Sequence, residues 1–371
     1  MTRARVLAVV LAGGAGSRMG QLTDRRAKPA LRFGGSFRLI DFPLSNCVNS
    51  RIPDVWVIQQ YQPQSIEEHL SNGRPWDLDR TDGGLLILHP FTGGEEEGFA
   101  EGNADAIWRH HRLVEEFAPD VVLVLSADGV YSLDYRDLID VHLANEAEVT
   151  MATTTAEDPS RFGVVNAEPD GAVTDFSYKP DHPRSDVVTM EVFAYQPAAL
   201  FGVLGELARG DQPLSDFGDG LLPRLVSRGR AFEYRFNGYW RDVGTLDSYW
   251  QAHQDLLSED GPARDLLATP WPIRTSGSHR PPARIAPGAS VECSLLSPGC
   301  HVAGRVVNSV LSPGVVVEAG AVVQGAVVLD GAIIRSGTHV TRAIVDAETE
   351  VERDAGGAEG DDHEITLVSA D

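Results

Sequence analysis

Cysteine is scarce in this chain, and the three that occur, Cys47, Cys293 and Cys300, are scattered and odd in number. They provide no disulfide framework, and their spacing fits no zinc site. We therefore expect a protein of a reducing compartment, the cytoplasm. The length of 371 residues suggests two domains rather than one.

Basic residues are also few relative to acidic ones. The chain has 31 lysines and arginines against 54 aspartates and glutamates, so its formal net charge is −23. A chain this acidic has no general attraction to DNA, RNA or an anionic membrane. An anionic substrate would have to be held by a local basic cluster, against the field of the whole molecule.

Long apolar runs are absent as well. No stretch approaches the ~20 residues needed to cross a bilayer, so we expect no membrane partner. Residues 2–12 faintly resemble a signal peptide, because Arg3 and Arg5 precede a short apolar run. That run leads into a glycine turn rather than a cleavage site, which argues against secretion.

The stretch that stands out is LAGGAGSRMGQLTDRRAKPA, residues 11–30. The apolar run VLAVVL before and into it predicts a buried strand of a mostly parallel sheet. A strand, a glycine-rich turn and a helix leave backbone N–H groups unpaired, and glycine lets a phosphate approach them. Basic residues follow closely in this otherwise acidic chain and favour an anion site over an ordinary turn: Arg18, Arg25, Arg26 and Lys28.

Spacing excludes two well-known phosphate-binding motifs. The dinucleotide fingerprint G-x-G-x-x-G, begun at Gly14 and Gly16, needs a third glycine where the chain has Met19. A P-loop needs G-x-x-x-x-G-K-[ST], and Lys28 lies too far along the chain. An oxidoreductase that binds a dinucleotide at this turn is therefore disfavoured.

Strand-like and helix-like segments alternate over roughly the first two thirds of the chain. Strands are predicted at 54–61, 120–128, 148–155 and 187–195, and a helix with one apolar face at 103–117. This alternation predicts an α/β fold, an open sheet with helices on both faces. Ligands of such sheets bind at the carboxyl ends of the strands, where the glycine turn and Asp128 are expected to lie.

A different pattern follows a Pro- and Ser-rich linker. Apolar residues recur every six residues at Val310, Val316, Val322, Val328, Ile334 and Val340. Such a hexapeptide repeat stacks short parallel strands into a β-helix, here of roughly four coils of about 18 residues. The predicted boundaries are an N-terminal domain at 1–255, a linker at 256–284, the β-helix at 285–353 and an acidic tail at 354–371.

Four stretches carry a family resemblance: LAGGAGSRM, RAKPALRFGGSFRLIDFPLSNCVNS, YWRDVGTLDSYWQAH and WPIRT. They resemble the glucose-1-phosphate adenylyltransferases of bacterial glycogen synthesis over nearly the whole chain. The resemblance implies a Rossmann-like nucleotidyltransferase domain, a left-handed parallel β-helix and a homotetramer under allosteric control. It implies an enzyme that uses Mg²⁺ to join ATP and glucose 1-phosphate into ADP-glucose and pyrophosphate.

Two aspartates are candidate metal ligands. Asp128 follows the apolar strand VVLVLSA at its carboxyl end, and an aspartate there is more often functional than structural, because an unpaired buried carboxylate is costly. Asp242 stands in YWRDVGT, where a turn explains it equally well. The family resemblance assigns both to Mg²⁺.

The resemblance also assigns the remaining site residues. Arg18 and Lys28 would stabilise charge on the transferring phosphate and the leaving pyrophosphate, and a phosphate nucleophile needs no general base. The nucleotide would be bound by Leu11, Ala12, Gly13, Gly14, Gly16 and Gly102. The sugar phosphate would be bound by Gly163, Lys179, Thr189 and Asp216. Arg25 aligns with a basic position linked to an allosteric effector, whereas His110 and His111 lack metal spacing and are interpreted as partly buried, without a function.

The chain departs from the family pattern where sugar and base are selected. The family has Glu-Lys-Pro and Ser-Met-Gly where this chain has Tyr-Lys-Pro at 178–180 and Thr-Met-Glu at 189–191. A carboxylate expected to bind sugar hydroxyls is thus replaced by Tyr178, and Glu191 either substitutes for it or blocks the pocket. The loop 89–99 lacks the glutamine pair expected to read adenine.

These departures leave alternatives to an ADP-glucose-forming enzyme. One is a nucleotidyltransferase for a different sugar phosphate or nucleotide, since a site that loses a hydrogen-bonding partner loses discrimination. The other is a non-catalytic regulatory paralogue that forms a hetero-oligomer with a more orthodox enzyme. The retained phosphate-binding and metal residues favour catalysis.

Overall fold

The apolar run Val6–Leu11 forms the central strand of the N-terminal domain, as its sequence predicts. The computed structural model describes residues 4–14, 16–91, 98–210, 214–258, 260–263, 265–267, 270–357 and 365–370. An α/β domain is followed by a β-helix, so the predicted fold class is confirmed. All three cysteines are free thiols. In the described part of the chain, no helix is both long and apolar enough to cross a membrane.

Helices and strands alternate in the N-terminal domain. Its helices are α1 Asp41–Asn49, α2 Pro63–Leu70, α3 Asn103–Trp108, α4 His111–Phe117, α5 Tyr135–Ala144, α6 Pro197–Ala208, α7 Leu221–Ser227 and α8 Leu246–Asp255. Its strands are β1 Val6–Leu11, β2 Arg32–Phe33, β3 Phe37–Arg38, β4 Asp54–Ile58, β5 Gly84–Leu88, β6 Val121–Ser126, β7 Gly129–Tyr131, β8 Val149–Thr155, β9 Gly163–Ala167, β10 Val173–Tyr178, β11 Val187–Tyr195, β12 Ala231–Arg235 and β13 Trp240–Asp242.

The main sheet is mixed. Strands β5, β4, β1 and β6 lie side by side and are parallel, and β11 continues the sheet antiparallel to β6. Beyond β11 the sheet divides, with β9 and β10 on one branch and β8 and β12 on the other. Alternate residues of β1 face opposite sides, so that Leu7 and Val9 pack with α3, α4, α6 and α7, whereas Ala8 and Val10 pack with α1, α2 and α5. Helices therefore cover both faces, and the carboxyl ends of β1, β4 and β6 meet at one edge.

Two local predictions differ from the structure. The single helix predicted at 103–117 is broken at His110, whose backbone is not helical, into α3 and α4. His110 is buried, and the ring of His111 stacks on Trp108 at 4.2 Å. The glycine turn is followed by a 3₁₀ segment, Ser17–Thr23, which is interrupted at Gly20. A short 3₁₀ segment offers little dipole, so positive charge at the turn comes mainly from side chains.

The C-terminal domain is a parallel β-helix with three sheets. Its strands are β14 Arg284–Ile285, β15 Ser290–Glu292, β16 Leu295–Leu296, β17 His301–Val302, β18 Arg305–Val307, β19 Val310–Leu311, β20 Val316–Val317, β21 Val322–Gln324, β22 Val327–Val328, β23 Ile333–Ile334, β24 His339–Thr341, β25 Ala343–Val345, β26 Glu350–Val351, β27 Ala355–Gly356 and β28 Thr366–Val368.

The β-helix has five layers of strands in the described residues rather than the roughly four coils that the repeat predicted. Val317 pairs with Ile334, and Ile334 with Val351, 17 residues further on each time. A coil of 17 residues is one residue short of three six-residue repeats, so the interior positions shift along the sequence. Val316 and Val322 are therefore only half-buried, whereas Val317 and Val323 fill the interior. The six-residue periodicity predicted the β-helix correctly. It placed some interior residues one position too early in the sequence.

Part of the segment expected to be an acidic tail belongs to the β-helix. Strand β28 pairs with β25 in the third sheet, and Ile365 just before it is buried. The intervening residues 358–364 lie outside the described part of the chain. They separate β28 from the regular repeat, which is why the periodicity did not reveal the last strand.

The two domains are joined by specific contacts. Arg32 in β2 forms a two-nitrogen ion pair with Asp330 of the β-helix, and Arg26 pairs with Asp346 at 2.9 Å. The indole of Trp250 in α8 donates to the carbonyl oxygen of Gly325 at 2.7 Å. The segment that precedes the β-helix is also held, because the Trp271 indole donates to Asn46 in α1. The residues after the glycine turn are thereby anchored to the β-helix.

Candidate active site

A lysine lies between two aspartates at the carboxyl edge of the sheet. Lys28 Nζ is 2.8 Å from Asp128 Oδ2 and 3.9 Å from Asp242 Oδ1. Asp128 follows β6, as the sequence predicted, and Asp242 ends β13, which pairs with β7 so that Asp242 faces Gly129. The N–H of Val243 donates to the carbonyl of Asp128 at 3.2 Å and fixes the two strand ends side by side. The structure thus brings together three residues that are 100 to 214 positions apart.

The charges of Lys28, Asp128 and Asp242 shift one another's pKa values. Burial alone disfavours the charged form of Lys28, which is 7% exposed, but Asp128 and Asp242 outweigh it and raise the pKa of Lys28. Burial raises the pKa of Asp128, but Lys28 and the hydroxyl of Ser126 lower it by more than burial raises it. The pKa of Asp128 is therefore below its ordinary value. The pKa of Asp242 is raised, first by burial and then by Asp128. Two carboxylates thus share one ammonium group, an arrangement that attracts a further cation.

Arg18 lies at the solvent side of this cluster. It is exposed and forms no ion pair with any described residue. Its guanidinium lies close to Gly244, two residues beyond Asp242, and its charge lowers the pKa of Asp242. Arg18 is therefore placed to meet an anion that approaches the aspartates.

The glycine turn forms one wall of the site. Ala12 is buried and bonds back to the sheet, whereas Gly13 and Gly14 border an open cavity. Gly16 has φ +67°, and a Cβ there would lie 3.1 Å from the Cβ of Lys28. A side chain at Gly16 would thus disfavour the backbone conformation and push against the lysine that holds the aspartates. Ala15 lies outside the described residues.

A cavity of about 480 Å³ connects these elements. The residues predicted for the nucleotide that border it are Leu11, Gly13, Gly14 and Gly102, and Lys28, Asp128 and Asp216 border it too. Gly102 precedes α3 and packs against the backbone of Ser215 so closely that a Cβ would lie 2.5 Å from its carbonyl carbon. The cavity thus extends from the glycine turn to the segment around Asp216.

The residues predicted for the sugar phosphate gather near Asp216. The Tyr178 hydroxyl donates to Asp216 Oδ2 at 3.0 Å and accepts from Lys179 Nζ at 2.8 Å. Gly163 pairs with Tyr178 across β9 and β10, and a Cβ on Gly163 would be 3.1 Å from Oγ1 of the buried Thr189. Gly163, Lys179 and Thr189 do not border the cavity itself, whereas Glu191 does. Tyr178 thus orders both Lys179 and Asp216.

Two residues of the candidate site were missed by sequence reasoning. Ser126, the last residue of β6, donates to Asp128 Oδ1 and borders the cavity. Gln60 follows β4, and its side chain forms hydrogen bonds with the backbone of Ala100, which also borders the cavity. Both stand at the carboxyl ends of parallel strands next to β1, which is the signal that could have found them.

Other predicted positions lie elsewhere. Arg25 is exposed and outside the cavity. Neither His110 nor His111 borders the cavity. Of the loop expected to read the base, 89–99, residues 92–97 lie outside the described part of the chain.

The fold and this arrangement define a nucleotidyltransferase. The chain matches the family model described as "Nucleotidyl transferase" over residues 7–259, and "GlmU-like, C-terminal hexapeptide" over residues 281–366. It is 44% identical to glucose-1-phosphate adenylyltransferase of Thermotoga maritima over 85% of this chain and 76% of that protein. Relatives of the same name from Desulforamulus reducens and Acetivibrio thermocellus are 41% and 37% identical, over 95% of this chain and 89% and 83% of their own.

The chain therefore belongs to the glucose-1-phosphate adenylyltransferase family. The resemblance inferred from its glycine turn and repeat is confirmed.

Proposed function

We propose that this protein transfers the adenylyl group of ATP to glucose 1-phosphate and releases pyrophosphate, the reaction named by its relatives. The observation that carries the proposal is that Lys28 and Asp128 border the cavity that begins at the glycine turn, with Asp242 next to Lys28. The product would be ADP-glucose, the glucosyl donor for glycogen.

The cavity residues divide into two groups by what they would bind. ATP would be held, with its triphosphate over the glycines, by the residues that the sequence assigns to the nucleotide: Leu11, Ala12, Gly13, Gly14, Gly16 and Gly102. Lys179, ordered by Tyr178, would bind the phosphate of the sugar substrate, and Asp216, Gly163 and Thr189 would shape the space for the ring. An oxygen of the sugar phosphate attacks the α-phosphorus, and the bond to the bridging oxygen of pyrophosphate breaks.

Catalysis in this proposal consists of positioning and charge neutralisation. A phosphate oxygen is already a nucleophile, so no side chain has to remove a proton. Lys28 is held in the cavity wall by Asp128 and is oriented before substrate arrives, which lowers the cost of aligning it. Arg18 has its guanidinium at the mouth of the cluster and would bind the leaving pyrophosphate.

The aspartate pair suits Mg²⁺ as cofactor. Carboxylate oxygens are the ligands that this ion prefers, and the ammonium of Lys28 already occupies a cation position beside both. Asp128 and Asp242 would be its protein ligands, and no cluster of three or more His, Cys, Asp or Glu side chains suited to a metal occurs in the described residues. When bound, the ion would neutralise charge on the phosphates and polarise the P–O bond.

The test is Mg²⁺-dependent release of pyrophosphate from ATP and glucose 1-phosphate by the purified protein. We expect turnover that is abolished in Asp128→Ala and retained in Asp140→Ala, where Asp140 is an exposed carboxylate on α5. Absence of turnover across a panel of nucleotides and sugar 1-phosphates would reject the proposal. That result would favour the non-catalytic regulatory paralogue.

We also propose a regulated homo-oligomer, a tetramer, in the cytoplasm. The first layer of the β-helix supports an oligomer, since its strands pair on one side only and Ile285 is 53% exposed. The exposed Arg25 would bind an anionic effector. Light scattering tests the oligomer, and loss of activation by phosphorylated metabolites in Arg25→Ala tests the effector role.

A further inference from the structure

The glycine turn and the residues after it have little conformational preference of their own. Four of the residues 13–20 are glycines. Gly16 has φ +67° and ψ +28°, and Gly20 has φ +54° and ψ −142°. Glycine adopts many other conformations as readily, so contacts from elsewhere in the chain must select this one. Arg18, proposed to bind the leaving pyrophosphate, lies between these two glycines, and its position depends on that selection.

Thr23 supplies such a contact. Its hydroxyl lies 3.1 Å from the carbonyl oxygen of Gly16 and 3.1 Å from that of Gly20, and it donates to both. Its methyl group packs against the first of these glycines, because a Cβ on Gly16 would lie 3.1 Å from Thr23 Cγ2. Thr23 is only 2% exposed, so its side chain is held in this place by the protein around it. One side chain thus fixes both ends of the segment 16–20.

Thr23 also connects this segment to the lysine of the site and to the cavity wall. The same Cβ on Gly16 would lie 3.1 Å from the Cβ of Lys28, so Thr23 and Lys28 both pack against Gly16. The backbone carbonyl of Thr23 accepts a hydrogen bond from the hydroxyl of Tyr61 at 3.3 Å, and Tyr61 borders the cavity. Thr23 therefore lies where the turn, the segment that carries Lys28 and the cavity wall meet.

Thr23 itself does not border the cavity, so it can affect a substrate only through other residues. The guanidinium of Arg18 reaches the backbone near Gly244, because its Nη2 would lie 3.4 Å from a Cβ there. Without the Thr23 hydroxyl, the segment 16–20 would take other shapes and Arg18 would leave this position. We propose that Thr23 is a positioning residue for nucleotidyl transfer, whose hydroxyl places Arg18 to bind pyrophosphate. This inference rests on the proposed function and deepens it.

Two nearly isosteric variants test the hydroxyl. Thr23→Val keeps the shape of the side chain and removes the hydroxyl, whereas Thr23→Ser keeps the hydroxyl and removes the methyl group. We expect kcat/KM for ATP to fall about fivefold in Thr23→Val, the size of one neutral hydrogen bond, and less than about twofold in Thr23→Ser. The KM for glucose 1-phosphate should stay unchanged in both. Should Thr23→Val not fold, Thr23→Ala removes the same hydroxyl and carries the same expectation.

Thr174→Val is the matched control. The hydroxyl of Thr174 also donates to a backbone carbonyl, that of Asn166, but on the exposed side of β10. This variant should retain the kcat/KM of the wild type for ATP. Thr23→Ser that is as impaired as Thr23→Val would show that side-chain volume, and not the hydroxyl, matters at this position, and would overturn the inference.

A double-mutant cycle separates positioning from a general structural role. Calorimetry with pyrophosphate and Mg²⁺ measures the affinity without requiring turnover. Thr23→Val should raise the Kd for pyrophosphate about fivefold in the wild type, but less than about twofold in Arg18→Ala, because the residue through which Thr23 acts is then missing. Equal losses in the two backgrounds, or unchanged affinity in Thr23→Val, would overturn the inference and leave nucleotidyl transfer intact. If no sugar phosphate is turned over, the proposed function fails, and this cycle still decides the role of Thr23.

Discussion

The side chain of Gln60 pairs with the backbone of Ala100 in both directions. Gln60 Nε2 donates to the Ala100 carbonyl at 3.1 Å, and the Ala100 N–H donates to Gln60 Oε1 at 2.9 Å. The same side chain lies against the glycine turn, since a Cβ on Gly13 would be 3.2 Å from Gln60 Cγ. One amide thus joins the two walls of the cavity, the turn and the segment that leads to Gly102.

Removal of this amide should weaken ATP binding. In Gln60→Ala the Ala100 backbone loses two neutral hydrogen bonds, worth about 1 kcal/mol each, so we expect the Kd for ATP to rise by up to about thirtyfold. Isothermal calorimetry measures the change. Gln64→Ala is the matched control, because among the described residues the Gln64 side chain bonds only to Glu68, on the exposed face of α2. Equal ATP affinity in Gln60→Ala and the wild type would show that the segment 98–102 is held by other contacts.

The raised pKa of Glu191 predicts how stability changes with pH in metal-free protein. Partial desolvation of its carboxyl group, and then the charges of Asp128 and Asp242, raise the pKa of Glu191 to about 8 in the native state, against 4.5 when unfolded. The native state therefore holds a proton that the unfolded chain releases. The stabilisation from this proton is complete below about pH 4.5 and is lost as pH rises towards 8.

Glu191→Gln should abolish this contribution to the pH dependence. The variant should unfold at a higher temperature than the wild type at pH 8 and at nearly the same temperature at pH 5. Because water in the cavity screens the carboxylate, the difference is smaller than for a fully enclosed acid. Scanning calorimetry in EDTA measures it, with Glu116→Gln as control. A variant that is less stable than the wild type at pH 8 would contradict this account of the charge.

Much of the fold followed from local pattern. The run Val6–Leu11 predicted a buried strand because its residues are apolar at every position, so that both faces of the strand are apolar. The structure confirms this, with side chains of the strand in the core on each side of the sheet. The strand predicted at 120–128 ends at Ser126, so Asp128 was correctly expected just beyond its carboxyl end. The helix break at His110 carried no such signal, because the apolar spacing continues through it.

The candidate site depended on contacts that no local pattern contains. Asp242 ends a strand of three residues, too short for periodicity, and only family resemblance placed it with Asp128. The role of Tyr178 as partner of Lys179 and Asp216 required the positions of three separate segments. The conformation of Glu191 depends on the irregular pairing of β11, which the sequence does not encode visibly. Local sequence thus predicted elements, whereas long-range contacts set the chemistry.

The ion pair of Arg32 and Asp330 should stabilise the interface between the two domains. Arg32 Nε and Nη2 lie 2.9 and 2.8 Å from the two carboxylate oxygens, and a third bond joins Arg32 to the carbonyl of Ser36. Arg32→Leu leaves Asp330 partly buried without its partner, at a cost of about 2 kcal/mol. We expect the unfolding temperature to fall by about 3 °C. Limited proteolysis should also cut the linker more rapidly.

The control is an exposed ion pair between two residues of the N-terminal domain. Arg74 and Asp79 are 3.3 Å apart, but both side chains are at least half exposed, so Arg74→Leu should change stability by less than about 0.5 kcal/mol. If Arg74→Leu lowered the unfolding temperature as much as Arg32→Leu, the interdomain pair would have no special contribution.

Two glycine-to-alanine variants should have opposite effects on stability. A Cβ on Gly102 would lie 2.5 Å from the carbonyl carbon and oxygen of Ser215, and both are backbone atoms that cannot rotate away. The N-terminus of α3 is fixed there, because Ala104 N–H donates to that carbonyl and Asn103 accepts from Phe217 N–H. Gly102→Ala must separate these segments, so we expect a loss of about 1–3 kcal/mol and weaker ATP binding, since Phe217 borders the cavity.

Gly202 provides the contrast in the interior of α6. A Cβ there meets no atom within 4 Å, and alanine is the better helix former by up to about 1 kcal/mol. Gly202→Ala should therefore raise the unfolding temperature and leave ATP affinity unchanged. Thermal unfolding and calorimetry on both variants decide the matter. Similar effects of the two substitutions would mean that backbone contact at Gly102 does not determine the position of α3, and the proposed link between this contact and the nucleotide site would fail.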